Sequence, residues 1–174
     1  IWIGSSAGLM RLDPGTGETM RFKHDPDDEH SLGPGYVAAL LEDRNGRLWV
    51  GTGEGGVQRI DAEGRVLQRF KNDPRNAESL SDDYVTALLE DRHGSLWVGT
   101  RSGGLNELDP ATGRATEWNP DLNRVATDLV VTNGQLFGAG GFGLYSIPLP
   151  GATIARHAAV RSTPAQHASL SSCS

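Results

Sequence analysis

Leu48-Trp49-Val50-Gly51-Thr52 returns unchanged as Leu96-Trp97-Val98-Gly99-Thr100, and a close relative, Ile1-Trp2-Ile3-Gly4-Ser5, opens the chain. Trp49 and Trp97 are 48 residues apart, and Trp2 and Trp49 are 47 apart. The surroundings repeat as well. Leu40-Leu41-Glu42-Asp43-Arg44 precedes the first full copy and Leu88-Leu89-Glu90-Asp91-Arg92 the second, while Phe22-Lys23-His24-Asp25-Pro26 matches Phe70-Lys71-Asn72-Asp73-Pro74. A period of this size marks stacked units, each contacting only its neighbours.

Within one unit, side chains alternate along Leu48–Thr52 as in a strand, so Leu48 and Val50 share one face while Trp49 and Gly51 take the other. Upstream, Tyr36–Glu42 is a short apolar run ending in Asp43-Arg44-Asn45-Gly46, which predicts a strand entering a tight hairpin. Downstream, Gly53, Gly55 and Gly56 turn the chain into Val57–Ile60, a third strand whose polar residues place it nearer an edge. After Asp61-Ala62-Glu63-Gly64 comes a fourth strand, Val66–Phe70. The next unit repeats this with Tyr84–Glu90, Leu96–Thr100, Leu105–Leu108 and Arg114–Trp118. A weaker copy covers Val125–Val131, Gln135–Ala139 and Gly143–Ile147, with Phe137 where tryptophan is expected.

Four short strands per unit at this period is the pattern of a β-propeller blade. The expectation is therefore an all-β partial propeller of about three four-stranded blades, with a repeat of about 48 residues, cut from a larger propeller. Residues 1–35 read as the end of one blade plus a connecting loop, 36–83 and 84–122 as complete blades, and 123–150 as a shorter, divergent one. Residues 151–174 are Ala-, Ser- and His-rich, match no repeat, and read as an irregular tail.

Bulk properties agree with a turn-rich β chain. Glycine is abundant at 23 of 174 residues, and the net charge is −6, which weighs against a nucleic-acid or anionic-membrane partner. No apolar run is long enough to span a bilayer. The lone Cys173 cannot form an internal disulfide. The chain opens at Ile1 inside a repeat, so its natural start is expected upstream.

The pattern Val37-Ala38-Ala39-Leu40-Leu41-Glu42-Asp43, then Gly46-Arg47-Leu48-Trp49-Val50-Gly51-Thr52, then Gly55-Gly56-Val57, resembles the two-component regulator propeller repeat. The copy from Val85 to Leu105 is closer still, and the linker Asn72-Asp73-Pro74 through Ser79-Leu80-Ser81 is similar to that family too. The resemblance implies the periplasmic, ligand-sensing region of an inner-membrane bacterial receptor. There such repeats precede a transmembrane helix and a histidine kinase, or sometimes a diguanylate cyclase. It further implies, as partners, the remaining blades of the parent and an extracellular carbohydrate or other small ligand. No contact of this segment with the membrane is expected.

The residues that recur once per unit suit structural work. Trp2, Trp49 and Trp97, each beside a glycine such as Gly51 or Gly99, suit packing between blades. Asp43 and Asp91 open tight turns and accept hydrogen bonds from the backbone of those turns. Catalytic residues are singular as a rule, and none is assigned here. No cofactor is assigned either. Gly51–Gly56 and Gly138–Gly143 fit a weak dinucleotide pattern, but the residues after each read as a strand, not the required helix. No metal site is assigned: Asp25, Asp27, Asp28 and Glu29 lack the spacing of a calcium loop, and His24 and His30 have no cysteine partner for zinc. The loops before the first strand and after the tryptophan strand lie at one end of a blade, so Tyr36, Glu54, Tyr84 and Arg101 are the candidate ligand-face residues. A non-catalytic sensor module is the favoured reading. A protein-interaction scaffold and a propeller enzyme (lyase or hydrolase) lacking its site are the alternatives.

Overall fold

A computed structural model describes residues 1–118, 128–132, 135–140 and 143–148. Its described elements are fourteen β-strands. They form four antiparallel sheets, each a meander in which successive strands pair. Sheet I holds β1 (Trp2–Ser5), β2 (Gly8–Leu12) and β3 (Thr19–Phe22). Sheet II holds β4 (Val37–Glu42), β5 (Leu48–Thr52), β6 (Val57–Ile60) and β7 (Val66–Phe70). Sheet III repeats it with β8 (Val85–Glu90), β9 (Leu96–Thr100), β10 (Leu105–Leu108) and β11 (Ala115–Trp118). Sheet IV holds β12 (Asp128–Thr132), β13 (Gln135–Gly140) and β14 (Gly143–Pro148). β4 packs beside both β1 and β8, and β8 beside β12, so the first strands of sheets II to IV lie towards a common axis. This is the arrangement of propeller blades.

Residues 1–22 form a sheet of their own, so there are two complete four-stranded sheets and two three-stranded ones. The weak third copy begins its strand at Asp128; residues 125–127 and the 151–174 tail lie outside the described residues.

Three apolar clusters occupy the three gaps between sheets. Between I and II lie Leu9, Leu32, Val37, Leu48, Val50, Ile60 and Val66, with half-buried Trp2 and Phe22 against them. Between II and III, Trp49 and Val57 meet Val85, Leu96, Val98 and Leu108. Between III and IV, Trp97 and Leu105 meet Leu136 and Ile147. Period-2 alternation produces this directly: the tryptophan side of each sheet fills the Leu/Val side of the next. Gly51 is what allows the close approach of II and III, since a Cβ there would overlap the Val85 side chain. Gly51→Ala should therefore destabilise by about 1–3 kcal/mol through overpacking. Urea unfolding checks this, and a change below about 0.5 kcal/mol, the level of a surface substitution, would show that the gap has slack.

The third strand is not near an edge. β6 lies between β5 and β7, and Gln58 is fully buried. Its amide is retained inside because it has work to do: Oε1 accepts from the Gly33 N–H at 2.7 Å, and Nε2 donates to Thr52 Oγ1 at 3.3 Å. Asn106, 48 residues on, accepts from the Ser81 N–H at 3.1 Å and donates to Ser81 Oγ at 2.7 Å. A buried amide thus holds the incoming inter-blade loop in each complete sheet, and its partners offset the cost of its burial.

The same loop reaches the outer strand. The His30 carbonyl accepts from the Val66 N–H at 2.7 Å, and the Glu78 carbonyl from the Ala115 N–H at 2.7 Å. Inside the loop, Asp25 Oδ1 accepts from the Asp27 N–H at 3.0 Å and Asp28 Oδ1 from the His30 N–H at 2.9 Å. These carboxylates order the loop's own backbone. The hairpin turns are clasped as well. Arg44 of sheet II donates from Nε to Glu90 of sheet III at 2.8 Å, and its two terminal nitrogens donate to the Arg92 and Asp91 carbonyls.

Candidate functional site

Two groups of the singled-out residues are placed quite differently. Trp49 and Trp97 are fully buried, and each indole N–H donates to a turn aspartate: Trp49 Nε1 to Asp43 Oδ2 at 2.8 Å, Trp97 Nε1 to Asp91 Oδ2 at 3.2 Å. The other oxygen of each aspartate caps the turn. Asp43 Oδ1 accepts from the Asn45 and Arg47 N–H groups at 2.9 and 3.0 Å, and Asp91 Oδ1 from those of His93 and Ser95 at 2.8 and 3.1 Å. Asp43 also binds Arg47 Nε at 2.6 Å. Burial acts to raise the Asp43 carboxyl, but the donors from Trp49, Arg47 and Asn45 together hold it below the usual range. Trp2 is half-buried and packs on Phe22 with ring centroids 5.6 Å apart. Gly51 pairs with Ala39 and Val57, and Gly99 with Ala87 and Leu105, inside their sheets.

Tyr36, Tyr84 and Arg101 gather at the opposite ends of the strands, on the rim around the axis. Tyr36 leads into β4 and Tyr84 into β8, and each carbonyl is fixed by the loop after the tryptophan strand. The Tyr36 carbonyl accepts from the Gly53 N–H at 3.0 Å, and that of Tyr84 from the Arg101 N–H at 2.9 Å. The two phenol hydroxyls hydrogen-bond to each other, with the rings edge-to-face at 5.8 Å and 79°. The Arg101 guanidinium lies over the Tyr84 ring, 5.0 Å from its centroid. The Tyr84 hydrogen bond, with burial and the neighbouring phenol's charge adding to it, raises the Tyr36 hydroxyl; Arg101 opposes this. The Tyr36 hydroxyl is therefore a neutral donor and acceptor at neutral pH. Tyr36 remains 40% exposed. Glu54 is exposed nearby and joins none of these contacts.

The rim is rigidly supported. Asp82 accepts from the Tyr84 N–H at 3.1 Å and from the Ser102 N–H at 2.8 Å. Ser81 Oγ donates to the Gly103 carbonyl at 2.7 Å. These supports are not legible from spacing alone. Arg101 and Asp82 stand where the preceding blade has Gly53 and Pro34, so the repeat pattern gives them no weight. The glycine run after Thr52 leads into strand β6, and Gly56 takes φ 69° there. Its backbone serves a turn between strands.

The two component regulator propeller family matches residues 31–54 and 79–102. No curated protein sequence matches the chain. Among solved structures, the extracellular domain of BT4673 from B. thetaiotaomicron, named as a one component system, superposes with a TM-score of 0.67 at 21% identity. That match covers 83% of this chain and 19% of that one. The extracellular domain of BT3049 from the same organism, named as a hybrid two component system, gives 0.58 at 18% identity, covering 86% of this chain and 26% of that one. The computationally designed Ika4 protein gives 0.59 at 20% identity, covering 85% of this chain and 84% of that one. At such identities the likeness is one of fold. The chain spans about a fifth to a quarter of the two extracellular domains. The chain folds as β-propeller blades, and two stretches of it, residues 31–54 and 79–102, match the two component regulator propeller family.

Proposed function

We propose that the chain is a non-catalytic, ligand-sensing segment of an extracytoplasmic receptor propeller, completed by further blades of its parent. The observation that carries this reading is the family match at residues 31–54 and 79–102. The extracellular placement of the BT4673 and BT3049 domains supports the location. Trp49, Trp97, Asp43 and Asp91 are engaged in packing and turns, whereas Tyr36, Tyr84 and Arg101, flanked by Glu54, gather on the rim, and this rim is the favoured ligand surface. Exposed aromatic edges with hydroxyl and guanidinium donors suit a small ring-shaped ligand such as a carbohydrate. Binding there biases the geometry of adjacent blades, and a kinase-type output domain reads the change.

A thermal-shift screen of the full chain against ring-shaped ligands tests this. A ligand at 100 times its Kd should stabilise by about 2.7 kcal/mol, and Tyr36→Ala should remove the shift while leaving the unliganded melting point within the range of a surface substitution. Stabilisation only by a protein partner would favour the scaffold reading, and turnover of a ligand would favour an enzyme.

A further inference from the structure

Arg101 is singular where its surroundings repeat. Tyr36 and Tyr84 occupy equivalent positions 48 residues apart, but the position equivalent to Arg101 is Gly53. At Gly53 a Cβ would lie 3.2 Å from the Tyr36 ring, so the glycine leaves room for that ring beside the loop. In the next blade the same loop carries a guanidinium stacked over tyrosine instead. A cation that breaks the repeat on an exposed rim, in a chain of net charge −6, has no counterpart in the blade's own packing.

That guanidinium forms no ion pair with a carboxylate of the described residues. Arg44, Arg47, Arg65 and Arg114 each pair with Asp or Glu. Asp82, which binds the N–H of the residue after Arg101, already accepts from the backbone of Tyr84 and Ser102. Arg101 is thus a cation held in place by stacking and by a braced loop, with its planar fork of donors unspent among the described residues. Such a fork is matched by a planar anion that accepts two parallel hydrogen bonds. Bracing the loop beforehand lowers the ordering cost of binding.

We infer that Arg101 anchors the carboxylate of a ring-shaped ligand, whose ring packs against Tyr36 and Tyr84. This rests on the sensor reading and names the ligand's chemistry. The ligand is a sugar acid or an aromatic acid; both present a ring bearing a carboxylate.

NMR titration of the isotope-labelled full chain decides it, with the Arg101 Nε–H and the Gly53 amide as reporters. The probes are methyl glucuronide and benzoate, each beside its neutral counterpart, methyl glucoside and benzyl alcohol. At least one acid is expected to bind, and to tell by which one it is whether the source is sugar or aromatic. Its neutral counterpart and the Arg101→Gln variant should each weaken binding about 10- to 100-fold, the loss of a charged hydrogen-bonded pair. Added salt should weaken it further. If acid and neutral probes bind equally, and binding depends on Tyr36 but not on Arg101, the carboxylate anchor is overturned while the rim survives as the ligand face. If no probe binds up to its solubility limit, both are overturned.

Discussion

Trp49→Ala destabilises the chain by about 3–5 kcal/mol, the cost of truncating a large side chain in a packed core. Trp49 is fully buried in the gap between sheets II and III, against Val85, Leu96 and Val98 of the next sheet, with Phe70 at 6.0 Å between ring centroids. The substitution removes the ring that fills this gap, and rigid sheets on both sides limit how far it can close. Trp97→Ala should cost a similar amount, because Trp97 is equally buried between III and IV. Trp2→Ala should cost less, because Trp2 is only half-buried. Denaturant unfolding of the three variants gives the ranking. A loss below about 1 kcal/mol at Trp49, the range of partly exposed positions, would remove the ring from its packing role.

Asp43→Ala is the second large effect, at about 3 kcal/mol, set by the donors it leaves unpaired. The substitution strips the acceptor from the Trp49 indole and from the Asn45 and Arg47 N–H groups. Each buried donor left without a partner costs about 1–3 kcal/mol. The Arg47 side chain is a third exposed, so water takes over part of its share. The pH dependence has a definite sign. The folded carboxyl is held below its usual range, so its ionised form stabilises the fold above the unfolded pKa of about 3.9. That contribution is lost as pH falls through the lower folded value. The difference between wild type and Asp43→Ala should therefore be flat across neutral pH and shrink in acid. A difference that grows on acidification would contradict the assignment. Asp91 makes the same turn without an arginine, since Ser95 stands where Arg47 does, so Asp91→Ala should cost less.

These effects mark what the sequence can and cannot reveal. The strands are legible because alternation and glycine-rich turns recur with a fixed period: Leu48–Thr52, Val57–Ile60 and Val66–Phe70 are strands at the expected bounds. The inter-blade role of the tryptophan face comes from the same alternation. Gln58 escapes this logic because polarity in a short strand is ordinarily a sign of exposure, whereas here a loop closes over it and supplies its partners. A signal exists, since Asn106 repeats a polar amide at the same spacing between apolar neighbours. The indole–carboxylate bond joins residues six apart across a hairpin, and spacing alone does not specify it. On the rim, a common end for Tyr36, Glu54, Tyr84 and Arg101 is legible from strand order. The contact between the tyrosines and the stacking of Arg101 depend on how one blade is rotated against the next, which local sequence does not encode.

The gaps between sheets have a handedness of use: each is filled by the tryptophan side of one blade pressing on the Leu/Val side of the next. Damage on the tryptophan side therefore passes to the next blade, and damage on the Leu/Val side to the preceding one. A lesion at Trp49 or Gly51 of β5 is felt in β8, since a side chain added at Gly51 would overlap Val85, one blade further along the chain, whereas a lesion at Leu48 or Val50 is felt in the blade before. The backbone amides that lose protection from hydrogen exchange should belong to the blade after an altered tryptophan-side residue and to the blade before an altered Leu/Val-side residue, so the position of a defect and the region it loosens differ by one full repeat.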